Sequence, residues 1–560
     1  MLTGACLCIL VAVTAAPADD MLDVLASELQ REQAVLSKQP GPPYFISYAM
    51  GDVDSVRLGT SFGVLTRRDQ ERSRALTVDV RVGDYQLDSS HELRGDGSGF
   101  DFGGMHGAVR IARDGDPDAV RVALWRQTDE RWRHAVEKLQ KVKGNVAAKV
   151  EAEDNSADFS REGPAVQYAE PPVDFAALLG DVEVWIGRLK RYSAALAADP
   201  QLYVGDANLS FSLERKYLVT SEGARLAQNL SYAHLTVNGV TKADDGMELP
   251  LFLSYSAARP ADLPAEDKVL TDVAAMAKKL VALRTAPLVD PYTGPAILSG
   301  RAAGVFFHEV FGHRVEGHRQ KNEDEGQTFK KKVGEQILPK TMNVVFDPTI
   351  AESHGFILVG RYAYDDEGVK AQPVAVVDRG VFKNFLMSRS PIVGFPRSNG
   401  HGRAQAGHAP VSRQSNMLIT SSAPLSVAQL RQKLIAECKA QKKPYGLLFA
   451  DIEGGFTFTG RDIPNMFNVL PVEVYRVYVD GRPDQLVRGV DLVGTPLVML
   501  SKIALASDRY DVFNGHCGAE SGWVPVSAVA PDLLVTQIEV QKKSKSQERP
   551  PLLPRPDTEK

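Results

Sequence analysis

The chain has few cysteines, four among 560 residues, and two of these, Cys6 and Cys8, lie within the first 18 positions. Only Cys438 and Cys517 remain beyond that point, which excludes a small scaffold held together by disulfides. An excess of positive charge is also missing, since 65 Lys and Arg stand against 70 Asp and Glu. The net charge of −5 gives no electrostatic basis for binding nucleic acid, and no such partner is expected.

Long apolar runs are absent beyond the N-terminus, so the sequence predicts no membrane span. Residues 5–16 are apolar but too few to cross a bilayer, and Ala16-Pro17-Ala18 follows as an A-x-A pattern typical of signal-peptide cleavage. We therefore predict a signal peptide over residues 1–18 and a periplasmic or secreted protein. A buried N-terminal helix is the alternative interpretation of the same run.

The apolar periodicity predicts an α+β protein. Residues 19–290 are expected to form an N-terminal α/β half with antiparallel strands and long helices. Residues 291–541 are expected to form a mostly antiparallel β domain that encloses a metal-binding helix. Residues 542–560 are rich in Lys, Pro, Glu and Ser, a composition that favours a disordered tail.

Several local predictions follow from turn signals and periodicity. Glycine and aspartate divide the first strand region into short strands, among them 44–50 and 61–66. Residues 202–256 alternate in polarity and predict an antiparallel meander, with turn signals at Asn238-Gly239 and Asp244-Asp245-Gly246. Near the C-terminus, a helix is expected over residues 495–507.

Residues 306–318 contain the most informative motif, in which His308 and Glu309 are followed by His313. Neutral imidazole is a preferred zinc ligand, and a carboxylate beside it can accept a proton from water on the metal. This HExxxH pattern is one residue longer than the HExxH of zinc proteases. Positions i and i+5 lie about 140° apart on a helix, so both imidazoles reach one metal only if the turn widens or the helix breaks at Gly312. The alternative is an amphipathic helix with two unrelated histidines and a solvated Glu309.

Two histidines do not complete a catalytic zinc site, which usually has three protein ligands. Cys517 lies between His516 and Gly518 in what the sequence predicts to be a glycine-flanked loop, and its thiolate is a strong zinc ligand. A free buried thiol and a Cys438–Cys517 disulfide are the alternatives for this cysteine. His516 and His318 compete with it as third ligand.

Two acidic features are also open to more than one interpretation. Glu316 is placed either to support a metal-bound histidine from behind or simply to face solvent. Asp365-Asp366-Glu367-Gly368 is either a cation site or a solvated turn, and the turn is the favoured interpretation.

Five sequence blocks, taken in order, resemble the TldD/PmbA family of bacterial metallopeptidases. The blocks are residues 308–318 with 334–337, residues 364–368, Ser398-Asn399-Gly400-His401-Gly402-Arg403, Val487-Arg488-Gly489-Val490, and His516-Cys517-Gly518 with Val524-Pro525-Val526. Residues 19–290 fit the N-terminal half of the family more loosely. Because the chain carries both HExxxH and the distant cysteine, it resembles the metal-binding subunit and not its metal-free partner.

The resemblance implies a zinc-dependent peptidase that hydrolyses unfolded peptides. In such an enzyme His308, His313 and Cys517 would bind Zn²⁺, and Glu309 would be the general base. The resemblance also implies a dimer, either a homodimer or a heterodimer with a TldE/PmbA-like subunit. A non-catalytic scaffold or binding subunit stabilised by zinc is the alternative function.

Overall fold

The computed structural model describes residues 20–93, 109–111, 113, 116–147, 154–321, 325–457, 459 and 467–543. Within these residues the protein is α+β with extensive antiparallel pairing, so the predicted class is confirmed. The predicted signal peptide lies outside the described residues, and so does the tail from residue 544 onward. No helix in the described part is both long and apolar enough to cross a membrane.

The described residues before 290 form one sheet of seven strands, in the order β3-β2-β1-β5-β6-β4 with β7 paired to β6. The strands are β1 (Pro43–Ser61), β2 (Val64–Val82), β3 (Val109–Arg110), β4 (Gln167–Ala169), β5 (Leu202–Thr220), β6 (Arg225–Lys242) and β7 (Glu248–Ala257). The helices of this half are α1 (Asp20–Leu36), α2 (Pro117–Ala147), α3 (Phe175–Leu179), α4 (Val182–Ala197) and α5 (Glu266–Thr285).

The two faces of this sheet differ in polarity. One face is apolar, and helices α1, α2, α4 and α5 pack against it. The other face carries polar residues that reach the C-terminal half: Lys216 Nζ donates to Asp366 at 2.8 Å, and Gln228 Nε2 donates to the carbonyl of Tyr364 at 2.7 Å. The first sheet therefore lies directly against loops of the second half.

Two predictions for this half were wrong in ways that packing explains. Strand β1 runs unbroken through the expected turn residues, because the carboxylate of Asp52 is paired with Arg74 of β2 at 2.6 and 2.7 Å. Asn238-Gly239 lies inside β6 and not in a turn. A Cβ at Gly239 would come within 2.6 Å of Leu280 in α5, so this glycine allows the helix to pack closely against the sheet.

The described residues of the C-terminal half form a mixed sheet of eleven strands around one buried helix, together with two separate two-stranded sheets. Its strands are β8 (Tyr292–Leu298), β9 (Met342–Phe346), β10 (Glu352–Ser353), β11 (Phe356–Ile357), β12 (Val374–Asp378), β13 (Val381–Phe382), β14 (Gly402–Arg403), β15 (Val411–Ser412), β16 (Asn416–Ser421), β17 (Tyr445–Thr457), β18 (Phe467–Tyr478), β19 (Gln485–Val487), β20 (Val490–Gly494), β21 (Ile503–Ala519) and β22 (Gly522–Lys542). Its helices are α6 (Gly300–Val310), α7 (Val427–Ala440) and α8 (Pro496–Ser501).

Strand β22 organises this half. It pairs with both β8 and β20, so β8, β17, β18, β20 and β22 form a closed ring of pairings. It also pairs antiparallel with β21 along most of that strand, and helix α6 packs against β17, β21 and β22. The division into domains at residue 290 stays a prediction.

The helix predicted over residues 495–507 was wrong in its second half. Helix α8 ends at Ser501, and β21 begins at Ile503, which pairs with Val535 of β22. Pairing with a neighbouring strand overrides the helical periodicity of this short segment. Cys517 likewise lies within β21 and not in a loop.

Candidate metal centre

Helix α6 is held against β22 by residues on one of its faces. Ser299 caps its first turn, and the amide of Gly300 donates to Asp532 at 2.9 Å. A Cβ at Gly300 or Gly304 would lie 2.6 or 2.9 Å from a backbone carbonyl of β22. His308 follows Gly304 by four residues and therefore lies on the same face of the helix. The close approach of α6 thus directs the first histidine toward the β21–β22 hairpin.

The helix breaks between the two histidines. Helix α6 ends at Val310, and the chain continues as a 3-10 turn over Gly312–Val315. Of the two geometries that the HExxxH spacing allows, the structure shows the break. A Cβ at Gly312 would lie 2.0 Å from Oε1 of Gln414, whose amide nitrogen donates to the carbonyl of His308 at 3.3 Å.

The β21–β22 hairpin carries the third side chain to this break. Cys517 pairs with Val524 near the hairpin tip, and the thiol faces the 3-10 turn. Its Sγ lies 3.4 Å from Nε2 of His313. The ring centroids of His308 and His313 are 5.0 Å apart. The structure therefore brings together three side chains that span 210 positions of the sequence.

The three donor atoms of His308, His313 and Cys517 lie within 4.8 Å of one another, and all three side chains are buried. In a tetrahedral zinc site, a sulfur and a nitrogen ligand are about 3.5 Å apart, given bond lengths of about 2.3 and 2.0 Å. The observed Sγ–Nε2 distance of 3.4 Å fits that separation. The donor set, two imidazoles and a thiolate, is also one that zinc prefers.

The competing ligands named from the sequence are engaged elsewhere. His318 contacts the carboxylate of Glu520, and His516 packs edge-on against Tyr232 with ring centroids 4.5 Å apart. Cys438 and Cys517 are both free thiols. Cys438 packs in a separate cluster with Leu434 of α7, so the alternative of a Cys438–Cys517 disulfide is excluded.

Glu309 follows His308 in the last turn of α6 and is 6% exposed. Burial raises the pKa of its carboxyl group, while the neighbouring His308 and His313 partly oppose that rise. The guanidinium of Arg314 donates to the main-chain carbonyl of Glu309 at 2.7 Å and satisfies part of the helix C-terminus. The structure thus places this carboxyl group in a dry environment beside both imidazoles.

Glu316 supports His313 from behind, which decides between the two interpretations of this residue. Nδ1 of His313 lies 3.3 Å from the Glu316 carboxylate, and Nε of Arg319 donates to the same oxygen at 2.9 Å. Burial would raise the pKa of Glu316, but His313, Arg319 and Arg413 together lower it to about 2. Glu316 is therefore an anion that orients the imidazole, with Nε2 left free to face Cys517.

Arg413 joins the cysteine strand to this carboxylate. It is fully buried, and its guanidinium donates to the carbonyls of Cys517 and Gly522 at 2.6 and 3.0 Å. Its Nε lies 3.6 Å from Glu316. Burial would raise the pKa of the Cys517 thiol, but His313, Arg413 and His308 hold that pKa well below its ordinary value. This lowered pKa favours the thiolate, which is the form that binds metal.

Sequence reasoning missed Arg413, Gln414, Arg319 and Glu520. The first two lie in a run of five consecutive polar residues, 412–416, all of which are buried. A polar run before an apolar strand ordinarily marks a solvated loop, so its sequence carries no signal of burial. Glu520 belongs to the hairpin tip, where it accepts a hydrogen bond from Arg319 at 2.9 Å.

The acidic block at residues 365–368 is neither a solvated turn nor arranged as a cation site. Asp365 is buried and accepts hydrogen bonds from the amides of Val369 and Gly402 at 2.8 and 2.9 Å. Glu367 accepts from the amide of Arg389 at 2.6 Å. Backbone amides of neighbouring loops donate hydrogen bonds to these carboxylates. The block therefore fixes the conformation of loops between the two halves.

Comparisons with known proteins agree with this arrangement. Residues 291–542 match the family model described as the PmbA/TldA metallopeptidase C-terminal domain. Residues 291–542 thus form a C-terminal domain of the TldD/PmbA family. A metalloprotease of Methanocaldococcus jannaschii is 26% identical over 316 residues, which are 56% of this chain and 64% of the relative. A zinc metalloprotease TldD homologue of Saccharolobus solfataricus is 24% identical over 253 residues, 44% of this chain and 51% of the relative.

The fold agrees with a solved structure of the family. TldE from Thermococcus kodakarensis superposes with a TM-score of 0.62 at 14% identity, covering 92% of this chain and 100% of that structure. By contrast, the alignments to the two curated relatives span about half to two thirds of the relatives' lengths. Both of these curated relatives are named metalloproteases.

The comparisons contradict the predicted signal peptide and the secreted or periplasmic setting. The chain aligns with proteins described as TldD homologues, among them one of Haemophilus influenzae, and with the TldE structure. None of these descriptions is of an exported protein. An apolar run followed by A-x-A is a short pattern, and short patterns often match by chance.

Proposed function

We propose that this protein is a zinc-dependent peptidase that hydrolyses unfolded peptides. In this proposal His308, His313 and Cys517 hold the zinc ion and Glu309 is the general base. The observation that carries it is the cluster of three buried donor atoms within 4.8 Å of one another, directly beside a buried carboxyl group. The name of the S. solfataricus relative, a zinc metalloprotease TldD homologue, supports the choice of metal.

The number of protein ligands supports catalysis over a structural role. Structural zinc sites are closed by four protein ligands, whereas catalytic sites have three and keep a position open. Among the residues that the structure describes, no fourth His, Cys, Asp or Glu joins the cluster. His318 and His516, the obvious fourth candidates, are engaged with Glu520 and Tyr232.

When bound, zinc supplies a Lewis acid that lowers the pKa of water and polarises a carbonyl group. Glu309 accepts the proton of the attacking water and passes it to the nitrogen of the leaving amine. Its raised pKa makes it a stronger base than an exposed glutamate. Glu316 and Arg413 keep the imidazole of His313 and the thiolate of Cys517 in position while the proton moves.

The burial of the site favours an unfolded substrate. His308, His313 and Cys517 are 5%, 7% and 2% exposed, so the reacting bond must enter a narrow space. A folded domain keeps its peptide bonds within its own structure and cannot present one there. A single extended chain can, and its main chain offers carbonyl groups at regular intervals.

We further propose a dimer, either of two copies of this chain or with a TldE-like subunit. The match to TldE over nearly the whole chain supports this, because the two folds then offer related surfaces. Size-exclusion chromatography with light scattering, on the chain alone and mixed with a TldE-like subunit, separates the two assemblies.

The second candidate function is a zinc-stabilised scaffold or binding subunit without catalysis. One experiment separates the candidates: cleavage of a quenched fluorescent peptide by the purified protein, before and after removal of metal by a chelator. The peptidase proposal expects cleavage that the chelator abolishes and that added zinc restores. Glu309→Gln should retain zinc and lose cleavage. A zinc-loaded protein that cleaves no member of a mixed peptide library supports the scaffold.

A further inference from the structure

One aromatic side chain lies next to the candidate metal centre, on the face of β21 that carries Cys517. Phe513, Gly515 and Cys517 alternate along β21 and therefore lie on one face of the strand. Cys517 is buried, whereas Phe513 and Gly515 are only half-buried. The accessible part of this face next to the ligands is thus formed by a phenyl ring and a glycine.

The position of the ring is set by glycines on both sides. A Cβ at Gly304 of α6 would lie 3.5 Å from Cβ of Phe513, so the stem of the side chain packs directly against the helix that carries His308. At the other end, a Cβ at Gly515 would lie 2.8 Å from the tip of the ring. The ring therefore lies along the strand, over Gly515 and toward Cys517.

The same ring contacts the first histidine. The ring centroids of Phe513 and His308 are 5.8 Å apart, with their planes inclined at 58°. It also packs at the border of two apolar clusters, the main core of the C-terminal half and the group formed by Cys517, Val524 and Val526. A half-buried phenyl ring at this distance is an apolar surface within reach of anything bound at the metal centre.

We propose that Phe513 forms the subsite for the substrate side chain next to the scissile bond, and that it selects large apolar or aromatic residues there. This inference rests on the proposed peptidase function. Successive side chains of an extended peptide alternate in direction, so one flanking side chain faces β21 when the main chain lies at the metal. An aromatic or aliphatic side chain buries apolar area against the ring, whereas glycine or serine gains little.

The test uses two quenched fluorescent peptides that differ only in the residue flanking the cleaved bond, Phe or Gly. The wild type should cleave the Phe peptide with a kcat/KM at least about tenfold higher. Phe513→Ala should lower the kcat/KM of the Phe peptide much more than that of the Gly peptide, and so remove the preference. Phe513→Leu should retain most of it, and Gly515→Ala should weaken it because the ring is displaced. Trp125→Ala, an exposed aromatic on α2, is the matched control and should keep the wild-type ratio.

Three results would overturn the proposal: no preference in the wild type, an equal loss for both peptides in Phe513→Ala, or a preference that survives Phe513→Ala. Zinc content and the thermal midpoint of each variant report whether the centre and the fold are intact. Binding of the two uncleaved peptides to Glu309→Gln, measured by fluorescence anisotropy, separates the subsite from the chemistry. If the wild type cleaves neither peptide but binding shows a preference that depends on Phe513, the peptidase function fails and the subsite stands. If binding shows no preference, the subsite fails.

Discussion

Nδ1 of His313 lies 3.3 Å from a carboxylate oxygen of Glu316, and both side chains are buried. The N–H of this nitrogen donates to the anion, which leaves Nε2 as the nitrogen that faces Cys517. A three-residue spacing within the motif therefore selects the tautomer that a metal ligand needs. Arg319 and Arg413 keep Glu316 charged. Because Arg413 also donates to the carbonyl of Cys517, it links this carboxylate to the hairpin that carries the cysteine.

Glu316→Gln should weaken zinc binding by about 10- to 100-fold, the usual effect of removing the acceptor behind a metal-bound histidine. The amide keeps the shape of the side chain but lacks the charge that holds His313. Competition with a chromogenic chelator measures the affinity. Glu325→Gln is the matched control, because Glu325 also accepts from Arg319, at 2.9 Å, whereas the carboxylate beside His313 belongs to Glu316. Equal zinc affinities for the two variants would refute the assigned role.

Gly312→Ala should destabilise the protein by about 1–3 kcal/mol, because its Cβ has no room beside Gln414. The double variant Gly312→Ala/Gln414→Ala removes the colliding amide and should recover part of that loss. The free energy of unfolding of the four proteins forms a double-mutant cycle with a large coupling term. Gly163→Ala, at a position with nothing near the added Cβ, should change stability little. Additive effects of the first two substitutions would contradict the proposed contact.

Glu367 predicts a dependence of stability on pH. Burial raises the pKa of its carboxyl group to about 7, against an ordinary value of 4.5. Between these two values the folded state retains a proton that the unfolded state has lost, so stability falls as the pH rises through this window. Glu367→Gln, which mimics the protonated form, should raise the thermal midpoint at pH 8 and leave it nearly unchanged at pH 5.

Glu335→Gln is the control for this measurement, since Glu335 is exposed and pairs only with Lys332 of the same turn among the described contacts. An equal shift at both pH values for Glu367→Gln would show that the substitution acts through packing and not through protonation. A lower midpoint at pH 8 would reverse the sign and refute the raised pKa.

The α+β class and the family were predictable because their signals are local. Strand alternation shows in short windows, and the resemblance depends on compact blocks such as residues 308–318. The break in α6 was also anticipated, as one of two geometries, since the spacing of His308 and His313 does not match a helical turn. The sequence therefore indicated the fold class and the position at which helix α6 departs from regular helical geometry.

The errors have a common physical origin, which is that contacts distant in sequence decide local structure. Aspartate in a strand region ordinarily indicates a turn, but Asp52 forms a buried ion pair with Arg74. Asn238-Gly239 is typical of a turn, but Gly239 lies within β6 and allows Leu280 of α5 to pack closely against the sheet. Neither partner can be recognised from the neighbouring residues.

The same limit applies to the metal centre. The proximity of Cys517 to His313 depends on the pairing of β21 with β22 and on the packing of α6 against both. The sequence alone named Cys517 as one of several candidate third ligands, and only the resemblance to a known family favoured it over His516 and His318. Arg413 and Gln414 carry no signal at all, because a polar residue that is buried through tertiary contacts resembles one that is solvated.

The central claim is that one zinc ion is held by His308, His313 and Cys517, and the zinc content of two cysteine variants tests it most directly. Both thiols are buried, but only Cys517 lies beside the histidines, so Cys438→Ala is the matched control. After dialysis against a weak chelator, the wild type and Cys438→Ala should hold about one zinc ion per chain, and Cys517→Ala should hold far less. A wild type without zinc, or a Cys517→Ala variant with undiminished zinc, would contradict the account.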